Sequence, residues 1–78
     1  MMSASDKALL ERIENDFTYH APTSDKQKKY ERLRDMAKDL ALAIADECPD
    51  SRERSLAITQ VEQSVMWANA SIARAPDL

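Results

Sequence analysis

The chain has 78 residues, a formal net charge of −3, one cysteine, one histidine and no glycine. A single cysteine excludes an internal disulfide, a lone histidine beside it makes no convincing zinc site, and a chain without glycine has no Walker or Rossmann phosphate loop. The acidic balance disfavours duplex DNA and RNA, and the hydropathy pattern predicts no membrane span, no signal peptide and a cytoplasmic protein. We therefore expect one small domain without a metal or cofactor, stabilised by self-association.

The first predicted element is a short N-terminal helix over residues 1–16. Apolar residues recur at helical spacing from Leu9 to Phe17. Pro22 interrupts the pattern, so residues 17–23 are expected to form a connector. This connector carries two aromatic residues, the only histidine and a proline, which is more than a plain helical scaffold needs.

Two long helices follow, over residues 24–48 and 51–74, and are expected to form an antiparallel hairpin. The first begins at a Ser-x-x-Gln capping box headed by Ser24, and Pro49 separates the two because the residue before a proline leaves the helical region. The apolar stripe of the first long helix consists of Tyr30, Leu33, Ala37, Leu40, Ile44 and Cys48. The stripe of the second consists of Ile58, Val61, Val65, Ala68 and Ile72.

The predicted fold class is all-α: a short N-terminal helix followed by a long antiparallel αα-hairpin, with residues 1–78 as a single helical-hairpin domain. Four large apolar residues lie off the two stripes, namely Leu42, Leu56, Met66 and Trp67. A second apolar strip on a two-helix unit is typical of an interface with another copy. We therefore expect an oligomeric helical assembly larger than a dimer.

The residues offer no catalytic centre. Nucleophilic catalysis needs a nucleophile with a base in reach and a third group that orients the base. Cys48 lies on the apolar stripe and is interpreted as a small core residue, His20 is the only histidine, and the acidic residues are scattered over solvent faces. We expect a binding protein or a scaffold and not an enzyme.

Aromatic and cationic residues near the connector suit a nucleotide, because aromatic faces stack on bases and guanidinium groups bind phosphate oxygens. Phe17 continues the stripe of the first helix and is expected to anchor in the core, which leaves Tyr19 as the free ring. Arg34 lies one turn beyond Tyr30 and is expected to reach back toward the connector. The residues alone leave two alternatives open: Tyr19 as an ordinary boundary tyrosine, and the basic stretch around Arg34 as a solvated helix face.

Four segments of the sequence resemble one small phage family. They are residues 17–22 (FTYHAP), 30–34 (YERLR), 48–57 (CPDSRERSLA) and 62–74 (EQSVMWANASIAR). On these segments the chain resembles the anti-CBASS cyclic-oligonucleotide sponges, the second family of phage anti-CBASS proteins, whose helical hairpin is shared with a sponge against the Thoeris system. Residues 1–16 lie outside this resemblance.

The resemblance implies a homohexamer in the host cytoplasm that sequesters cyclic dinucleotides such as cyclic GMP-AMP and, in many members, cyclic trinucleotides at a separate site. Such proteins do not cleave the ligand, and they deprive the CBASS effector of its signal. Tyr19 matches the family's base-stacking tyrosine, with Phe17 and His20 beside it in the dinucleotide site. Arg34 matches a ligand-contacting basic position that is often lysine, and Arg74 matches a basic residue given to the trinucleotide site.

Trp67 and Asn69 are assigned to the interface between copies, because a buried indole contributes a large contact area and an amide can satisfy polar groups at a seam. The alternative function comes from a different class: a small helical adaptor or regulator that binds a host protein through the face of Trp67. Tyr19 and Arg34 distinguish the sponge from the adaptor, since an adaptor has no evident need for either residue.

Overall fold

The computed structural model describes residues 3–76, which form three helices and no strand. The helices are α1 (Ala4–Asp16), α2 (Ser24–Glu47) and α3 (Arg52–Arg74). The predicted all-α class and the helical hairpin are confirmed. Residues 1, 2, 77 and 78, which the predicted single domain includes, lie outside the described residues.

Each helix begins at a hydroxyl side chain that accepts a hydrogen bond from a free backbone N–H. The three caps are Ser3, Thr23 and Ser51. Thr23 Oγ1 accepts a bond of 3.2 Å from the backbone N–H of Lys26. The prediction that Ser24 heads the second helix is wrong by one residue, because Thr23 has the extended backbone of a cap (φ −79°, ψ 165°) and Ser24 is already helical.

Helices α2 and α3 pack against each other along one antiparallel seam. Its half-buried residues are Tyr30, Leu33, Ala37, Ala41 and Ile44 on α2, and Ile58, Val61, Val65, Ala68 and Ile72 on α3. The predicted stripe is confirmed for α3 but is wrong for α2 at Leu40 and Cys48, which are exposed. Ala41 and not Leu40 is half-buried on the seam, although both lie three or four residues from Ala37 and from Ile44. Cys48 is the extended cap beyond the last turn and not a core residue.

Helix α1 lies against the end of the hairpin through polar contacts of its last turn. Asn15 Nδ2 donates to the carbonyl of Arg74 at 3.4 Å, and Asp16 Oδ1 lies 3.4 Å from Arg74 Nε. The apolar side chains of α1, Leu9 and Ile13 among them, remain exposed. The short helix is therefore placed by hydrogen bonds and charge, and its apolar face is left uncovered in the single chain.

The described chain has no apolar core of its own, and Lys26 is its one buried residue. Among the exposed large apolar residues are Met36, Leu40, Leu42, Leu56, Met66 and Trp67. The helices form a single layer about 15 Å thick. The radius of gyration is 17.1 Å, whereas a compact chain of this length has about 11.5 Å.

The accessible surface of the chain is larger than that of a stable monomer. It measures 6630 Å², whereas a folded monomer of 8.8 kDa exposes about 4800 Å². The excess of about 1800 Å² is roughly twice the ~800 Å² that each partner gives to a standard interface. A surplus of this size is typical of a subunit and favours self-association.

Candidate functional site

Tyr19 lies in the connector between α1 and α2 and is 84% exposed. The prediction that its ring is free is confirmed. Phe17 is 86% exposed, so the prediction that it anchors in the core is wrong within one chain. The physical reason is that α1 buries none of its residues, so its apolar stripe offers the Phe17 ring no core to enter. Both rings are therefore accessible to a ligand or to another copy.

The backbone around Tyr19 is tied to the last turn of α1 by hydrogen bonds. Thr18 Oγ1 donates to the carbonyl of Glu14, and His20 Nε2 donates to the carbonyl of Asn15 at 2.8 Å. These carbonyls belong to the last turn of a helix, where no intrahelical N–H group is available to bond them. A ring on a hydrogen-bonded backbone loses less entropy when a base stacks on it. The second ring nitrogen of His20, Nδ1, is left for a further partner.

Lys26 is a buried cation that joins the start of α2 to the end of α3. Its Nζ donates to the carbonyl of Ala75 at 2.8 Å and to that of Ala73 at 3.5 Å. A lysine in the first turn of a helix opposes the dipole of that helix, but here the charge lies at the negative C-terminal end of the antiparallel neighbour. No motif marks Lys26 in the sequence, and its unfavourable place in the first turn is the signal that could have found it.

Arg74, the last residue of α3, is held at both its backbone and its side chain by α1. Asn15 bonds its carbonyl, and Asp16 Oδ1 pairs with its Nε. Asp16 Oδ2 also lies 3.6 Å from Arg12 Nε, so this carboxylate stands between two arginines. The spacing of Arg12 and Asp16 is visible in the sequence, but the contact with Arg74 joins opposite ends of the chain and no local pattern encodes it.

These side chains surround a cleft at the open end of the hairpin, which we call the connector cleft. Its lining residues are Asn15, Tyr19, His20, Ala21, Lys26, Arg74, Ala75 and Pro76. Its volume is about 470 Å³, within the range of about 300–1000 Å³ for small-molecule sites. The structure thus brings Tyr19, His20 and Arg74 together, beside the Lys26 cation. One aromatic face, one imidazole and two cations are the groups that a base and a phosphate require.

Arg34 lies in a different cavity, the hairpin groove. That groove is lined by Arg34, Ala37, Lys38, Ala41, Ile58, Val61, Glu62 and Val65, and its volume is about 300 Å³. The expected reach of Arg34 back to the connector is not seen within one chain. Arg34 lies two turns beyond Lys26, about 12 Å along the helix axis, and lines the groove with seam residues. The cavity that Arg34 lines is therefore not the one that Tyr19 lines.

Trp67 and Asn69 lie on different sides of α3. Two positions along a helix turn by about 200°, and Trp67 is 71% exposed whereas Asn69 is half-buried. Asn69 Oδ1 is covered and has no hydrogen-bond partner among residues 3–76. Trp67 thus presents apolar surface, whereas the unsatisfied acceptor of Asn69 is covered within the chain itself. Their assignment to an interface stays a prediction.

Within residues 3–76 there is no group of three His, Cys, Asp or Glu side chains placed to hold a metal ion. Cys48 follows the end of α2 and His20 precedes its start, so a helix about 36 Å long separates the two. In the same part of the chain, no helix is both long and apolar enough to cross a membrane.

Comparison with known proteins identifies the hairpin. The family model described as "Acb2/Tad1, hairpin domain" matches residues 10–73, which is more than half of the chain and includes nearly all of both long helices. The match begins inside α1, so the expectation that residues 1–16 lie outside the family is wrong for residues 10–16. No curated protein and no solved structure shows significant similarity to the chain.

Proposed function

Because the chain belongs to the Acb2/Tad1 hairpin family, we propose that it is a sponge for cyclic oligonucleotide messengers. Members of this family bind signalling molecules as sponges. On our proposal the protein sequesters cyclic dinucleotides such as cyclic GMP-AMP, and cyclic trinucleotides at a second site, without cleaving them. It thereby blocks CBASS antiphage signalling in the host cytoplasm. The observation that carries the proposal is the connector cleft, where the exposed Tyr19 ring lies beside Lys26 and Arg74.

The side chains of the cleft match the parts of a nucleotide. Stacking of a base on an aromatic ring contributes about 1–3 kcal/mol, whichever base it is. The guanidinium of Arg74 can donate two parallel hydrogen bonds to phosphate oxygens, which a lysine cannot do. The Nε2 proton of His20 is engaged by the carbonyl of Asn15, so this ring serves recognition through Nδ1 in our proposal.

The proposed dinucleotide site joins Tyr19 of one protomer to Arg34 of another. The two residues line separate cavities in one chain, which supports a site shared between copies. A cyclic dinucleotide has two similar halves, and a two-fold protein site offers each half the same residues. Phe17 and His20 flank Tyr19 and complete the site. In our proposal Arg74 belongs to the separate trinucleotide site, although it lines the same cleft as Tyr19 within one chain.

We expect the purified protein to be a homohexamer, with six times the chain mass of 8.8 kDa. Its surplus surface corresponds to about two standard interfaces per protomer, whereas a simple dimer supplies one. Light scattering coupled to size-exclusion chromatography at micromolar concentration measures the mass. A stable monomer or dimer under these conditions would contradict the proposed assembly.

The adaptor alternative has one observation in its favour, the exposed indole of Trp67. An adaptor would use that face for a host protein and would leave the connector cleft without a ligand. Binding of a cyclic oligonucleotide at the cleft therefore favours the sponge, and its absence favours the adaptor.

The function is tested by calorimetric titration with cyclic GMP-AMP and cyclic tri-AMP, with the linear forms as controls. We expect saturable binding of at least the cyclic dinucleotide. After the complex is denatured, chromatography should recover the ligand unchanged, because a sponge releases what it bound. No binding of either cyclic compound, or recovery of a linear product, would refute the proposal.

A further inference from the structure

Asp16 ends α1 and lies between two arginines of different exposure. Its Oδ1 is 3.4 Å from Arg74 Nε, and its Oδ2 is 3.6 Å from Arg12 Nε. The side chain of Asp16 is 23% exposed and that of Arg74 is 37% exposed, whereas Arg12 is 77% exposed. Solvent therefore screens the Asp16–Arg74 pair less than the Asp16–Arg12 pair, and Arg74 is the cation that Asp16 affects more.

The backbone of Arg74 is held independently of Asp16, which pairs only with its side chain. Asn15 bonds the carbonyl of Arg74, and Lys26 bonds the carbonyls of Ala73 and Ala75 on either side of it. The end of α3 is thus fixed through three backbone carbonyls. What Asp16 adds is a negative charge 3.4 Å from the guanidinium Nε. The other N–H donors of this guanidinium are the ones a phosphate would take.

We propose that Asp16, which contacts the cleft residue Arg74 but does not itself line the cleft, makes Arg74 select phosphodiesters over phosphomonoesters. A phosphate that binds Arg74 competes with the Asp16 carboxylate and is repelled by it. A phosphodiester carries one negative charge, whereas a phosphomonoester carries about −1.5 to −2 at neutral pH. The repulsion is therefore about 1.5 to 2 times as large for the monoester. The inference rests on the proposed function, in which Arg74 binds a phosphate of a cyclic trinucleotide.

This selection has a clear use for a sponge. Mononucleotides offer the same bases and sugars as cyclic oligonucleotides, so stacking on an aromatic ring does not separate the two classes. The charge of the phosphate does separate them. A fixed carboxylate beside the phosphate-binding arginine rejects dianionic competitors without any contact with the base.

The test compares the wild-type protein with Asp16→Asn, using cyclic tri-AMP as the diester probe and AMP as the monoester competitor. Removal of the charge should tighten cyclic tri-AMP binding by about fivefold, the value of a partly exposed ion pair, and should tighten AMP binding by about tenfold or more. Weaker or unchanged cyclic tri-AMP binding would overturn the inference. An equal gain of affinity for both probes would also overturn it, as would a failure of AMP to displace cyclic tri-AMP from either protein.

Two variants control for charge and for structure. Asp16→Glu keeps the carboxylate and should keep the wild-type preference for cyclic tri-AMP. Asp50→Asn makes the same change of net charge at the far end of the hairpin, where Asp50 pairs with Arg54 at 3.1 Å, and should leave both probes unaffected. A gain of affinity in Asp50→Asn would assign the effect to net charge and overturn the inference.

The variant Arg74→Ala separates this inference from the function on which it rests. If Arg74→Ala loses cyclic tri-AMP binding and Asp16→Asn does not tighten it, the trinucleotide site stands and the role of Asp16 falls. If Arg74→Ala binds cyclic tri-AMP as well as the wild type does, the proposed trinucleotide site itself is refuted, and the role of Asp16 with it.

Discussion

Replacement of Tyr19 by alanine is expected to abolish most of the affinity for cyclic GMP-AMP. The free ring stacks on a base at about 1–3 kcal/mol, so two copies of Tyr19 around one two-fold ligand lose about 2–6 kcal/mol together. The fold should be unaffected, because the ring is 84% exposed and packs on little of its own chain. Calorimetric or competition titrations with cyclic GMP-AMP measure the loss, and circular dichroism checks that the helices remain.

Three comparisons make this result specific. Tyr19→Phe keeps the ring and should keep most of the affinity. Arg34→Ala should lose about 1.5–3 kcal/mol for each charge-assisted hydrogen bond it removes. Cyclic tri-AMP binding should survive in both Tyr19→Ala and Arg34→Ala if the trinucleotide site is separate. Tyr19→Ala and Arg34→Ala proteins that bind cyclic GMP-AMP like the parent would rule out the dinucleotide site.

The helices could be predicted from the sequence because their signals are local. Steps of three and four between apolar residues and hydroxyl caps at the helix starts depend only on near neighbours in the chain. Two of the errors are of one kind. At Ser24 and Leu40 a residue beside the chosen one, Thr23 or Ala41, satisfies the same pattern. The geometry of the seam decides between such neighbours, and periodicity alone does not.

The expectation for Phe17 failed for a different physical reason. An apolar stripe shows that a helix face will be covered, but it does not say whether the same chain or another copy covers it. In this chain the apolar side chains of α1, and Phe17 just after it, stay exposed, so the stripe has no core of its own to join. The same ambiguity holds for Trp67, where the prediction of an interface is compatible with the exposed indole but is not tested by it.

The candidate site was predictable only in part. Tyr19 stands out in the sequence because the connector is short and rich in aromatic residues. The environment of Arg74 is not visible there, since the side chains of Asn15, Asp16 and Lys26 reach it from the other end of the chain. Contacts between the first third of the chain and its end arise from hairpin closure, so a single sequence carries no local sign of them.

Replacement of Trp67 by alanine is expected to dissociate the hexamer. The indole is 71% exposed in one chain, so its removal costs little within the protomer. If another copy buries it, truncation costs about 3–5 kcal/mol at each interface, and a closed assembly repeats that loss around its symmetry axis. Light scattering over a dilution series should show smaller species than the parent at the same concentration. Thermal unfolding should occur at a lower temperature, because dissociation leaves protomers without a core.

The matched control for this loss is Gln63→Ala, one turn earlier on the same helix. Both side chains lie on one face of α3, but Gln63 is polar and contributes no large apolar area. We expect Gln63→Ala to remain hexameric and Trp67→Phe to lie between the two, since phenylalanine fills part of the space of the indole. An unchanged mass and an unchanged unfolding temperature in Trp67→Ala would show that this face is not an interface between copies. The exposed indole would then favour the adaptor, whose partner is another protein.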